Sequence, residues 1–334
     1  MKFGIIGSGS WATAIAKILT DNRNSINWWV RTEKSVEHIV KRHHNPQYLP
    51  TAYFDTSLLA VSTNINTVVQ DVDVVIIVVP SAYLLDALNS LHPKALEGKK
   101  VVSAVKGIIP ENNKLLNEYL QEAFGVVLEN YVTLLGPCHA EEVAAEKLSY
   151  LTFSGLDEEL AQRIASHFNG PYINTLVNHD VWGVQYAAVL KNIYAVGAGI
   201  AHGLEYGDNF LSVYIANCAN EMRTFLKPML LLHPDETKSV SYAASVYLGD
   251  LLVTCYSLHS RNRMFGNMIG KGYSVKAAQL ELNMIAEGYN ASRCIHTVNS
   301  GLEINIPIAE TIYQILWQQL PPGEGFKQIE ARLF

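Results

Sequence analysis

The 334-residue sequence holds only four cysteines, Cys138, Cys218, Cys255 and Cys294, and no C-x-x-C pair. That scarcity excludes a disulfide-stapled scaffold and a cysteine zinc site, and fits a reducing compartment. Positive charge is also in short supply, with 25 Lys and Arg against 31 Asp and Glu and a formal net charge of -6. Such a chain repels polyphosphate, so nucleic acid is not an expected partner. A small phosphorylated ligand must then be held by local cations, helix N-termini or backbone N–H groups. His38, His43 and His44 lack ligand companions at a set spacing, and no metal is expected. The chain has no internal repeat, low-complexity tract or flexible linker.

An uninterrupted membrane-spanning run is missing as well. The nearest approach, VWGVQYAAVLKNIYAVGAGIAHGL at 181–204, carries Lys191 near its middle together with Gln185, Asn192 and four glycines. A lysine at the centre of a span costs roughly 2.5 to 3.5 kcal/mol. A helix buried inside a soluble protein is therefore expected, without stable membrane insertion. Met1-Lys2-Phe3 enters an apolar run with neither a basic n-region nor a small-residue cleavage site, so a cytoplasmic protein is expected.

What the chain does have is alternation. KFGIIG (2–7), INWWVR (26–31), DVVIIVVP (73–80), KKVVSAVKG (99–107), YVTLLGP (131–137) and SYLTFSG (149–155) read as strands, with helical periodicity between several of them. This is the pattern of βαβ units around a largely parallel sheet. DVVIIVVP is apolar on both pleat faces, as a central covered strand should be. Past about residue 178 the pattern turns helical, with helices predicted over 181–201, 209–227, 235–247, 250–259 and 274–287. The expected architecture is an α/β, Rossmann-like N-terminal domain (1–178) followed by an all-α C-terminal domain (179–334).

Immediately after the first predicted strand, GIIGSGSWATAIA places Gly7, Gly9 and Ala12 at the spacing G-x-G-x-x-A. In that pattern the first glycine makes the tight turn and the second admits a pyrophosphate against the backbone. The third small residue lets helix and strand pack closely. The helix N-terminus then meets the phosphates with its N–H groups. Dinucleotide binding is the expectation. An acidic residue normally closes the second strand and bonds the adenine ribose, but here WWVRTEK offers Arg31. An arginine suits a 2'-phosphate or stacks on adenine, and nearby Glu33 leaves NAD and NADP both open.

Between Asp180 and Glu205 the sole formal charge is Lys191, in YAAVLKNIYAV. A buried ammonium costs several kcal/mol unless it is paired or has a task, which makes Lys191 the leading functional candidate, beside Asn192. In LGDLLVTCYSLHSRNRMFG (248–266), Asp250 and Thr254 share a helix face at i, i+4, and Ser260-Arg261-Asn262-Arg263 follows. Arginine flanked by Ser and Asn donors makes a phosphate cradle. VVPSAY (78–83), VSAVKGI (102–108) with Lys106, and GPCHAEE (136–142) put polar groups just past the ends of predicted strands, where open α/β sheets bind ligands.

These segments, GSGSWATAIA, NPQYLP, VVPS, VKG, GPCHAEEVA, LKNIYAVGAG, GDLLVTCYS, SRNRMFG and AEGY, occur in an order and spacing that resembles the bacterial NAD(P)-dependent glycerol-3-phosphate dehydrogenases over essentially the whole chain. The resemblance implies reversible reduction of dihydroxyacetone phosphate to sn-glycerol 3-phosphate for phospholipid synthesis, NAD or NADP as cofactor, and a homodimer. By matched motif it makes Lys191 the acid/base, with Lys106, Asp250, Asn192 and Thr254 completing the catalytic group. It assigns Gly7, Gly9, Ser10, Trp11, Arg31, Lys106, Ala140, Arg261 and Glu287 to the cofactor. Lys106, Gly136, Cys138, Lys191, Asp250, Ser260, Arg261 and Asn262 fall around the substrate. Three departures stand out. Ala12 takes the place of a glycine, Cys138 that of a serine and His139 that of an aromatic. A thiol is the weaker donor. Two competing readings remain at this level: a related two-domain dehydrogenase of a keto acid or sugar acid, and a dinucleotide-binding sensor without turnover.

Overall fold

The computed structural model describes residues 1–232, 240–282 and 286–334. The chain resolves into two compact units, Met1–Val105 with Leu115–Val181, and Lys106–Lys114 with Trp182–Phe334. Against the expected division between 178 and 179, the second unit begins at Trp182 and also claims Lys106–Lys114. That segment leaves the sheet and closes on itself where the Ile109 N–H donates to the Lys114 carbonyl at 2.9 Å. Its first carbonyl, on Lys106, accepts from Asn192 of the helical unit at 2.8 Å.

In the first unit strands and helices alternate: β1 (Phe3–Ile6), α1 (Ser10–Asp21), β2 (Ile26–Trp29), α2 (Glu33–Arg42), β3 (Leu59–Ser62), α3 (Ile65–Gln70), β4 (Val74–Ile77), α4 (Leu84–Leu88), β5 (Lys100–Ser103), α5 (Leu116–Phe124), β6 (Tyr131–Leu135), α6 (Ala140–Ala144), β7 (Ser149–Ser154), α7 (Glu158–Ser166) and β8 (Ile173–Asn178). They form one eight-stranded sheet in the order β3-β2-β1-β4-β5-β6-β7-β8. Phe3 pairs in parallel with Ile26 on one side and Val74 on the other, and only the β6–β7 pair is antiparallel. The four residues of β1 and of β4 are all buried, which is why both strands are apolar on both pleat faces. Strand order reverses direction between β1 and β4, the place where such sheets open a crevice at the strands' C-terminal ends.

All six predicted strands are present. Two more, β3 and β8, complete the edges of the sheet. Their faces are only half covered, as LAVS and INTLVN with partly exposed residues attest, so neither has the apolar density of a central strand.

In the second unit the helices are α8 (Val181–Gly203), α9 (Asp208–Leu232), α10 (Asp250–Tyr256), α11 (Arg261–Gly270), α12 (Val275–Glu281), α13 (Glu287–Asn299), α14 (Pro307–Trp317) and α15 (Pro322–Glu330). Part of the helix predicted at 235–247 lies outside the described residues, and Ser245–Gly249 form a single π-helical turn leading into α10. The helix predicted at 250–259 stops at Tyr256, because Ser257 turns extended and Ser260 caps a new helix through its Oγ and the Arg263 N–H. The helix predicted at 274–287 is two elements, α12 and the start of α13, with residues 283–285 between them outside the description. Among the described residues no helix is long and apolar enough to cross a membrane.

Two helices of this unit touch backbone to backbone. A Cβ on Gly199 or Gly203 of α8 would meet the Arg263 carbonyl at 2.1 Å or the Asn267 carbonyl at 2.5 Å. A Cβ on Gly266 or Gly270 of α11 would meet the Val196 carbonyl at 1.9 Å or the Ile200 carbonyl at 2.4 Å. Each pair is spaced i, i+4, so the two helices present facing stripes without side chains.

Glu221 of α9 is buried and accepts the N–H groups of Ile308 and Ala309 at 2.7 and 2.9 Å, closing the N-terminus of α14, with the Tyr194 hydroxyl at 3.1 Å. Burial pushes its carboxyl up to about 7 against the pull of those donors. Because the folded value is raised, the stability contribution is complete below pH 4.5 and is lost as pH rises toward 7. Wild type should lose about 3 kcal/mol relative to Glu221→Gln across that window. Urea midpoints at pH 4.5 and 8 check this; parallel profiles for the two proteins would contradict it.

Candidate active site

The sheet unit carries the glycine-rich turn where the sequence puts it. Gly7 ends β1 at φ +138°, and a Cβ there would meet the Val78 carbonyl at 2.2 Å, so only glycine fits. The Trp28 indole N–H donates to the Gly7 carbonyl at 2.7 Å and pins the turn from β2. Gly9 is the N-cap of α1 and has no side-chain cap; a Cβ built on it meets nothing within 4 Å. A tight glycine, an open glycine and a helix N-terminus in that order suit a pyrophosphate. Ser10 is buried and Trp11 partly buried, on the first turn of α1, and Ala12 is buried against the core, as close packing requires.

Asn45, from the NPQYLP segment, completes this turn. Its Nδ2 donates to the Ser8 carbonyl at 3.2 Å and to Thr13 Oγ1 at 2.9 Å, while its Oδ1 accepts the Gln47 and Tyr48 N–H groups. Sequence reasoning assigned Asn45 no role, since Ser8 and Thr13, the residues of the turn that it bonds, lie more than thirty residues away. Arg31 is exposed at the end of β2 and lines a recess of about 40 Å³ with Ser8, Val30, Thr32, Ser35, Asn45 and Gln47. Glu33 does not line the recess. Its carboxylate accepts from the Thr63 hydroxyl. His38 and His44 face one another, Nε2 to Nε2 at 3.4 Å, and no cluster of three or more metal-binding side chains occurs among the described residues.

Beyond β6 the chain turns at Gly136 (φ +129°), where a Cβ would meet the Tyr150 carbonyl at 2.8 Å. Cys138 is buried and Ala140 opens α6. The far end of α6 is tied to α1 through Lys17, whose buried ammonium bonds Asp21 at 2.7 Å and Glu146 at 3.0 Å. Burial opposes that charge, but the two carboxylates outweigh it and hold the Lys17 pKa above the ordinary value.

The helical unit explains the lone charge of α8. Lys191 is 3% exposed and its Nζ pairs with Oδ1 of Asp250, itself 1% exposed, at the head of α10. Thr254 Oγ1 donates to the Asp250 carbonyl at 2.6 Å and reaches Oδ1 at 3.4 Å, the i, i+4 relation read from the sequence. Asp250 Oδ2 is buried with no hydrogen-bond partner among the described residues. A buried ion pair with one carboxylate oxygen unsatisfied is costly as pure architecture. It can instead receive a hydroxyl donor beside an ammonium that faces an oxygen. Cys255, which follows Thr254, is buried, and burial pushes its thiol up to about 12.

The other predicted residues divide between the two units. Arg261 begins α11 and Asn262 is buried behind it. Ser260 uses its hydroxyl as the cap of α11, a role its position before a helix makes legible. The carboxamides of Asn192 and Asn262 bond each other. Lys106 and Glu287 both belong to this unit and are half-buried. Thus the residues assigned to the cofactor fall on both units. Gly7, Gly9, Ser10, Trp11, Arg31 and Ala140 lie on the sheet unit, and Lys106, Arg261 and Glu287 on the helical one. Of those assigned to the substrate, Gly136 and Cys138 belong to the sheet unit and the rest to the helical unit.

Comparison with known proteins agrees with this pairing of parts. The family profile described as "NAD-dependent glycerol-3-phosphate dehydrogenase N-terminus" matches residues 2–161, and the corresponding C-terminus profile matches residues 180–327. A glycerol-3-phosphate dehydrogenase [NAD(P)+] of Bacillus cereus is 31% identical over 317 residues, covering 95% of this chain and 91% of its own. The crystal structure of glycerol-3-phosphate dehydrogenase from Coxiella burnetii superposes with a TM-score of 0.88 at 25% identity, covering 99% of each chain. A yeast glycerol-3-phosphate dehydrogenase structure shares the fold, with a TM-score of 0.81 at 24% identity and 99% of each chain covered. By its matching profiles and relatives, the chain belongs to the NAD-dependent glycerol-3-phosphate dehydrogenase family.

Proposed function

We propose that the protein reduces dihydroxyacetone phosphate to sn-glycerol 3-phosphate, reversibly and at the expense of NADH or NADPH, supplying the backbone of glycerophospholipids. The observation that carries this reading is the buried pair between Lys191, the lone charge of α8, and Asp250 of α10, with one carboxylate oxygen unsatisfied among the described residues. Neither the keto-acid reading nor the sensor reading has an observation of its own in support. Turnover of a ketone panel with both reduced coenzymes tests the assignment. Activity with a 2-keto acid and none with dihydroxyacetone phosphate would sink it.

Gly7, Gly9 and the first turn of α1 are the groups that would hold the dinucleotide, and the open face of Gly9 and the uncapped helix start fit its pyrophosphate. When bound, the nicotinamide supplies the hydride. The chain's own residues do the rest. As the C2 carbonyl of the substrate gains charge, the Lys191 ammonium stabilises the nascent alkoxide and then donates its proton to that oxygen. Asp250 orients the ammonium through Oδ1, with Thr254 bracing the same residue, and its Oδ2 accepts a substrate hydroxyl. Arg261, at the head of α11, gives the phosphate dianion a fixed fork of donors and so fixes the ketone's position.

The recess beside Arg31 supports a preference for NADP. It pairs a guanidinium with the Thr32 and Ser35 hydroxyls at the start of α2, no carboxylate lines it, and Glu33 of the first turn of α2 accepts from Thr63. Arg31→Asp is expected to raise KM for NADPH at least tenfold more than for NADH, about the 1.4 kcal/mol of one charge-assisted contact. Equal effects on both coenzymes would remove Arg31 from 2'-phosphate recognition. The reading also takes the protein to be a cytoplasmic homodimer, for which sedimentation should give twice the chain mass.

A further inference from the structure

A second ammonium is taken out of water in the sheet unit. Lys17 of α1 is 6% exposed, with Nζ bonded to Asp21 Oδ2 at 2.7 Å and to Glu146 Oε1 at 3.0 Å. The Tyr172 hydroxyl donates to the same Asp21 oxygen, and the Tyr172 ring centre lies 5.5 Å from the ammonium. Asp21 is four residues on in the same helix, so its bond to Lys17 neutralises charge without joining α1 to anything. Glu146, 129 positions away, makes the bond that joins two elements.

Glu146 stands where glycine is usual. It follows the C-cap of α6 at φ +55°, with its N–H on the Val143 carbonyl at 3.0 Å and the Lys147 N–H on the Glu142 carbonyl at 2.9 Å. A left-handed residue closing a helix in this way is most often glycine, because a Cβ is strained there. Such strain persists where the surroundings over-determine it. The carboxylate is the group glycine would lack, and it reaches Lys17. Stability does not account for the choice, because the Glu146 side chain is 61% exposed and an ion pair to so exposed a partner adds little to the fold.

What the pair joins bears on the cofactor. α1 begins at the open glycine turn and α6 begins with Ala140. The two helices meet in a core that includes Ala12, Ala16, Val143 and Ala144. Short side chains make shallow ridges, so apolar packing there fixes the separation of the helices more firmly than their sliding. An ion pair between the last turns of α1 and the residue past α6 removes that freedom. We infer, on the cofactor placement proposed above, that Lys17 and Glu146 are positioning residues for the dinucleotide: their ion pair sets the register of α1 against α6, and so the distance from the glycine turn to Ala140.

Glu146→Gly is the decisive variant, because it relieves the left-handed strain while removing the carboxylate. Coenzyme affinity is read by fluorescence titration with NADH and NADPH, stability by the urea midpoint, and turnover at saturating coenzyme and dihydroxyacetone phosphate. Glu146→Gly should weaken both coenzymes by about 3- to 10-fold, with kcat unchanged and the urea midpoint unchanged or raised. Lys17→Met, which leaves the Glu146 backbone as it is, should weaken coenzyme binding by a similar factor, and the double variant no further than the weaker single. Unchanged affinity in Glu146→Gly would reduce the pair to surface charge and overturn the inference. A loss in Glu146→Gly that Lys17→Met does not share would trace to a loosened backbone and overturn it too, as would a fall in kcat at saturating coenzyme. A lowered urea midpoint in Glu146→Gly alongside weakened affinity would make the defect one of folding, with the same result. Wild type that binds coenzyme but turns over no dihydroxyacetone phosphate would refute the proposed reaction alone, since the titration needs no turnover. Wild type that binds neither coenzyme would refute both.

Discussion

Lys191→Ala should lower kcat by a factor of about 100 or more, with cofactor affinity nearly unchanged, as for the loss of a general acid that acts only as charge develops. Steady-state rates with dihydroxyacetone phosphate, paired with a fluorescence titration of NADH or NADPH, separate the two quantities. The separation is expected because Lys191 sits in α8 of the helical unit, while the glycine turn that suits the pyrophosphate belongs to the sheet unit. Retained turnover would remove the residue from the chemistry. A parallel loss of cofactor affinity would make the defect one of folding.

Asp250→Ala should be more damaging to the fold than to cofactor binding. It leaves an ammonium 3% exposed with its carboxylate partner gone, and breaking such a pair from one side costs about 3–5 kcal/mol. Replacing both partners by apolar side chains, Lys191→Met with Asp250→Leu, should recover most of that stability and none of the activity. Urea unfolding of the three proteins, with the assay alongside, tests the pair directly. Equal losses in the single and double variants would mean that α10 depends on Asp250 for something other than Lys191. A stable double variant that turns nothing over would show that the pair is retained for chemistry, since the fold alone does better without it.

The central parts of this molecule could be read from the chain because their causes are local. β1 and β4 are apolar on both faces, and β1 leads into a glycine turn whose spacing is itself the signal. Lys191 could be singled out because a lone charge in an apolar helix is locally unfavourable wherever its partner lies, and Asp250 because it shares a helix face with Thr254 ahead of the Ser260–Arg263 run. The edges could not be read this way. β3 and β8 are half-exposed strands whose identity comes from the neighbours they pair with. The helix predicted at 250–259 also ended early, at Tyr256, with α11 starting separately at Arg261, although Ser260 carried the cap signal.

The same limit governs the candidate site. Asn45 and Glu221 are ordinary residues in the sequence and gain their roles through partners 37 and 87 positions away. The recess beside Arg31 likewise draws on Ser8, Ser35 and Asn45, which no spacing rule groups together. A short motif records contacts with a ligand, and the residues that hold the motif in place are scattered through the chain.

The side-chain-free crossing of α8 and α11 sets a tolerance for the chemistry. Where side chains separate two helices, an added methyl group is absorbed by a change of rotamer. Here a methyl on Gly266 would fall 1.9 Å from a carbonyl oxygen, and the strain has nowhere to go except into movement of a whole helix. Arg261 and Asn262 ride on that helix one turn ahead, so the smallest possible mutation at a position remote from any ligand would read out as mis-aimed donors. Such a variant is a caliper: it converts the thickness of one carbon atom into a change in turnover, and divergence among natural relatives should be far freer at the surface of α11 than along this seam.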